Sequence, residues 1–182
     1  MRRHPSQSRP PARPLDQAAL ERLALRYVER YATTRARLTA YLDRKLRERG
    51  WAGEGEADSR ALAERMAELG YVDDRAFAEA RVSAMGRRGL GARRVTLALR
   101  QAGIESDDAE AITPQVEANA GEAALAFARR RRIGPFAQEE ADRDQRERQL
   151  AAMLRAGHAF ELAKKIVAMA PGDDIEAILA PD

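Results

Sequence analysis

Apolar residues return every three or four positions along most of the chain, the period of a helix with one buried stripe. Asp16 is placed to cap a first helix in which Leu20, Leu23, Tyr27 and Tyr31 share a face, and Thr33 or Thr34 punctuates its end. A second stripe, Leu38, Leu42 and Leu46, closes at Gly50, a residue suited to the left-handed turn that ends many helices. The third, Leu62, Met66 and Leu69, follows a connector holding Gly53 and Gly55 and closes at Gly70.

The pattern then restarts. Asp73 and Asp74 stand at a helix start, Phe77 and Ala78 point inward, and Met85 precedes a loop predicted over Gly86 to Gly91. Val95 and Leu99 mark the next helix, with Gly103 as its cap. Ser106, Asp107 and Asp108 open another that carries Ile112 and Val116, and Pro114 must lie near its first turn or bend it. From Gly121 the order recurs: Leu125, Phe127 and Ala128, a loop with Gly134 and Pro135, then Leu150, Met153 and Leu154 ending at Gly157. Leu162, Ile166 and Met169 form the last stripe, stopped by Pro171 and Gly172. Ile175, Ile178 and Leu179 in the tail predict one short docked turn.

Gly50, Gly103 and Gly157 lie 53 and 54 residues apart, and each follows an apolar residue by four positions: Leu46, Leu99 and Met153. Phase, stripe and helix order agree, which predicts an all-α fold of three tandem three-helix repeats stacked into an elongated, curved body. The boundaries expected are 15–70, 71–120 and 121–171, with a tail over 172–182. Residues 1–14, holding four prolines among four arginines, are expected to be a disordered arm.

Composition supports this reading. Of 182 residues 34% are charged and only 5% aromatic, a balance that suits helices with solvated faces over sheets. Lys and Arg number 32 against 29 for Asp and Glu, a net charge of +3, so anionic partners are plausible and unnamed. The absence of cysteine excludes disulfides and thiolate metal or redox sites, and fits a reducing cytosol. No signal-peptide pattern and no transmembrane run is found, so a soluble, cytoplasmic monomer without membrane contact is expected.

Little in the chain suggests catalysis, and a non-enzymatic binding protein that needs no cofactor is expected. His4 lies in the arm. His158 follows the last cap, placed to hydrogen-bond a terminal carbonyl, and two histidines without cysteine make no zinc site. The pairs Asp73–Asp74, Asp107–Asp108 and Asp173–Asp174 all fall at expected helix starts, where capping explains them without a metal. Gly86-Arg87-Arg88-Gly89-Leu90-Gly91 is no nucleotide-binding P-loop. It reads first as a helix connection with solvated arginines, and second as a phosphate cradle. Basic residues gather at Arg81, Arg87, Arg88, Arg93, Arg94 and Arg100, and in the run Arg129, Arg130, Arg131, Arg132. They are either solvated faces or one positive surface for phosphates or an acidic protein patch.

The middle unit resembles the RecX family of regulators. Gly70, Tyr71, Val72, Asp73, Asp74, Arg75, Ala76, Phe77 and Ala78 are similar to that family's glycine, two apolars, Asp-Asp, Phe-Ala signature. The likeness continues through Gly89 and Gly91 to Arg94, Val95, Leu99, Gly103 and Ile104. Asp73, Asp74, Phe77, Gly89 and Gly103 then read as structural signature positions. The third unit departs from the family, which has an aromatic after the last glycine where this chain has His158, with Phe160 following. The resemblance implies three tandem three-helix repeats and a protein of DNA repair, recombination and the SOS response. It would bind the RecA filament on single-stranded DNA, restrain ATP hydrolysis, strand exchange and coprotease activity, and touch DNA directly only weakly. The alternative reading is a helical DNA-binding module acting independently of RecA.

Overall fold

The computed structural model describes residues 13–104 and 106–179, apart from the side chains of Ser106, Asp107 and Ala177. The arm over residues 1–12, His4 and the end of the tail lie outside the described residues. Among those described, the only extended pairing is an isolated parallel bridge between Leu15 and Trp51. The regular structure is otherwise helical, in two compact units that divide between Asp73 and Asp74.

The first unit holds α1 (Gln17–Arg30), α2 (Arg35–Arg49) and α3 (Ser59–Glu68). Local chemistry starts each helix. The Asp16 carboxylate accepts from Ala19 N at 2.7 Å, the Thr34 hydroxyl from Arg37 N at 3.2 Å, and the Asp58 carboxylate from Ala61 N at 2.8 Å. Each cap of this kind is worth about 1 kcal/mol. Leu20, Ala24, Leu38, Leu42, Leu62, Ala63 and Met66 fill the core from all three helices.

Three details depart from the hydrophobic pattern. Leu15, on no predicted stripe, is fully buried, because its backbone pairs on both sides: Leu15 N donates to Gly50 O at 2.9 Å and Ala52 N to Leu15 O at 2.8 Å. The Arg49 guanidinium also donates to the Arg13 carbonyl at 2.7 and 2.9 Å, so the described end of the segment 1–14 is held. Tyr31 and Leu69, both expected inward, are 49% and 59% exposed. Each lies just past its helix, at the C-cap position, where the turning chain no longer keeps the helical face.

The second unit holds α4 (Asp74–Arg87), α5 (Ala92–Gln101), α6 (Ser106–Ala118), α7 (Ala120–Arg131), a 3-10 turn at Gly134–Phe136, α8 (Arg143–Arg155), α9 (Phe160–Ala168) and α10 (Glu176–Leu179). Two apolar clusters run through it. Ala78, Val82, Met85, Val95, Leu99, Ile104 and Ile112 join α4, α5 and α6. Ala124, Leu125, Ala128, Met153, Ala163, Ile166 and Val167 join α7, α8 and α9. With the first unit's core, each successive helix triplet thus has a cluster of its own, the repeating all-α organisation that the stripes predict.

Here too the chain differs from the pattern in places. Gly86 is helical, so the connection after α4 shortens to residues 88–91. Phe77 packs against the second cluster but is only half-buried, whereas neighbouring Ala78 is fully buried. Pro114 lies well inside α6 rather than in its first turn, so the Glu110 carbonyl has no backbone amide to accept from at that position. In the tail, Ile175 and Ile178 dock on the third cluster while Leu179 stays exposed.

Candidate functional site

The turn from α8 to α9 is locked onto the connection from α4 to α5. Gly91 N donates to Ala156 O at 3.0 Å and Arg93 N to Gly157 O at 3.2 Å. Arg94 Nε donates to Arg155 O at 3.0 Å. Free amides at the start of α5 thereby meet free carbonyls at the end of α8, which satisfies both termini and sets the positive end of one dipole against the negative end of the other. The phosphate-cradle alternative for the glycine loop is overturned: amides that would hold an anion already donate to protein carbonyls.

Glycine is needed here for clearance and, at Gly89 and Gly157, for a positive φ as well. A Cβ on Gly89 would sit 2.6 Å from Phe127 N, one on Gly157 2.7 Å from Arg94 N, and one on Gly91 would overlap the backbone of Gly157 and His158. Gly103 and Gly157 also share a cap. At φ of 71° and 96° they let Ile104 N reach Leu99 O at 3.1 Å and His158 N reach Met153 O at 3.2 Å. Gly50 differs: its chain leaves extended, with ψ of 171°, and its carbonyl pairs with Leu15 instead. The near-constant period therefore joins two equivalent turns and one variant.

His158 does bond a carbonyl, but a distant one. Its Nε2, as the N–H tautomer, donates to Gly89 O at 3.1 Å, and its ring packs on Phe127 with centroids 5.5 Å apart. Only 1% exposed, it has its pKa pushed below the ordinary histidine value, because burial disfavours the cation more than the Gly89 carbonyl favours it. It occupies the inward position after the last glycine, while Phe160 is 47% exposed.

All ten arginines singled out in the sequence are exposed. They do not all share one setting. Arg93 and Arg100 flank the exposed Leu97 along the outer face of α5, and the Arg130 side chain lies beside Gly89. Arg94 spends its Nε on the end of α8. Arg129 and Arg131 lie over the Phe136 and Phe127 rings, 4.9 and 5.9 Å from their centroids. Arg87 lines a groove with Ser83, Asn119 and Glu122, and Arg132 lines another that includes Glu139 and Glu140. Arg81 and Arg88 stand seven positions apart, on α4 and just past its end. Asp73 immediately precedes α4 and Asp74, buried, opens it. Among the described residues no group of histidine, cysteine and carboxylate side chains is arranged to hold a metal.

Curated relatives match most of the chain. The regulatory protein RecX of Myxococcus xanthus is 33% identical over 81% of this chain and 83% of its own length. That of Agrobacterium fabrum is 31% identical over 86% and 85%. The chain belongs to the RecX family. A family model described as RecX, second three-helix domain, matches residues 73–111. The crystal structure of RecX from Lactobacillus salivarius superposes with a TM-score of 0.59 at 19% identity, covering 82% of this chain and 93% of that one, a likeness of fold. Within this RecX-family frame, Gly89 and Gly103 are positions of close backbone approach and helix capping.

Sequence reasoning missed a second basic group, in the first unit. Arg26, Arg30, Arg44 and Lys45 line one groove with Tyr27, Tyr31 and Tyr41. The four-residue steps from Arg26 to Arg30 and from Tyr27 to Tyr31 were visible signals of a shared face. Their meeting with α2 was not.

Proposed function

We propose that this RecX-family protein binds the RecA filament on single-stranded DNA as a monomer and restrains its ATP hydrolysis, strand exchange and coprotease activity, without catalysing a reaction. Membership of a family of regulatory proteins is the first support. The observation that carries the reading is the locked junction of α5 with α8. It presents Arg88, Arg93 and Arg100 to solvent from a braced loop and helix, so a charged partner meets a surface whose ordering cost is already met within the fold.

Titration of the protein into RecA filaments on single-stranded DNA tests this. ATP hydrolysis and strand exchange should fall in parallel and saturate. Unchanged rates at saturating protein would overturn the reading.

A further inference from the structure

The groove between α1 and α2 combines aromatic faces with positive charge. Tyr27 and Tyr41 stack with centroids 4.2 Å apart and planes inclined by 21°, and Tyr31 leans on Tyr27 at 5.2 Å. Arg30 lies 5.6 Å from the Tyr31 centroid and Arg44 5.6 Å from that of Tyr41. Among the described residues the lining carries four cations and no carboxylate. Glu48, beside it, pairs with Lys45 at 2.6 Å and with Arg44 at 3.7 Å. Arg26 and Arg30 have no carboxylate within 4.0 Å among the described residues, so their charge is not offset at short range.

We infer that this groove is a contact site for single-stranded DNA, with Tyr31 stacking on an unpaired base and Arg26 and Arg30 meeting the flanking phosphates. Tyr31 has the property that such a platform needs: it has left the helix, it is 49% exposed, and Tyr27, itself stacked on Tyr41, packs against its ring. Aromatic faces alone would suit an apolar peptide, and cations alone would suit duplex DNA. The two together suit a strand whose bases are unpaired, because every base offers a face and every linkage a charge. Duplex DNA hides those faces in its own stack. The groove, of about 500 Å3, is large enough to take a nucleotide-sized ligand. The choice of DNA over RNA rests on the proposed function, whereas the site itself does not.

Fluorescence anisotropy of a labelled oligothymidine of about 30 nucleotides, titrated with the full chain and without RecA, reads the site directly. Tyr31→Ala should weaken binding by about 5-fold or more, and Tyr31→Phe should restore it to within about 2-fold. Arg26→Ala with Arg30→Ala should reduce the slope of log affinity against log salt by about 0.7 for each phosphate that the variant no longer neutralises. Wild-type affinity and salt slope in both folded variants would overturn the assignment. So would equal or tighter binding of duplex or of polyglutamate as an acidic-peptide mimic, and tighter binding of oligouridine than of oligothymidine would overturn the choice of DNA. Because no RecA is present, failure here is separable from failure of the proposed regulation, which is read from ATP hydrolysis by the filament.

Discussion

His158 couples the fold of the second unit to pH. In the native state it is neutral, buried and donating to Gly89, with its pKa below the ordinary value. In the unfolded chain it titrates near 6.5. As pH falls through about 6.5 the unfolded state gains a proton that the native state resists, so this contribution to stability is full above that pH and declines below it. The melting temperature should therefore drop between about pH 7.5 and 5. A His158→Gln variant should melt lower at pH 7.5 and respond less to acid; an equally steep response would assign the effect to other groups. The sequence placed this histidine beside a helix end, where a bond to a nearby carbonyl was the natural expectation. Its true acceptor lies 69 residues back along the chain, a distance over which no local rule operates.

At the scale of elements, the stripes of α2 and α5 were read directly because both are regular helices whose apolar residues repeat in phase with the turn. Errors gathered at ends, as with Tyr31, Leu69 and Gly86, since the period does not say where the last hydrogen bond forms. The capping box of α8 illustrates the local side of this: Asp142 and Gln145 bond each other's backbone amides at 2.7 and 3.0 Å, three residues apart. The junction of α5 with α8 illustrates the other. Gly91 has an ordinary φ of −77°, so alanine is allowed there by its own backbone and forbidden only by the facing turn of Gly157 and His158. Gly91→Ala should destabilise the second unit by at least about 1 to 3 kcal/mol, the range for overpacking, with backbone rather than a movable side chain in the way. Chemical denaturation would check this; wild-type stability would mean that the two turns can part without loss.

For the whole molecule, the proposed function depends on which charges are free to meet a partner. Reversing Arg88 and Arg93 to glutamate should weaken regulation of RecA while leaving the stability within about 1 kcal/mol of wild type, because both side chains are exposed. Arg94 belongs in a different class, since its Nε caps α8, and Arg94→Glu should also lower stability. Filament ATPase assays beside thermal melts would separate the two; full regulation by the Arg88 and Arg93 variant would move the binding surface to another face. By itself the sequence determined that the chain is helical, roughly where most of the helices begin, and most of the residues that form each stripe. Those properties arise from hydrogen bonds and side-chain contacts only three or four residues apart. Its signature also pointed to the family. Only the tertiary structure decided that the glycine loop is filled by protein carbonyls, that Arg94 and Arg130 sit in different surroundings from Arg87 and Arg132, and that tyrosines from α1 and α2 meet in a basic groove. The reason is physical: these outcomes depend on how helices pack across long stretches of chain, and a glycine kept for clearance looks the same in sequence as one kept for its backbone angle.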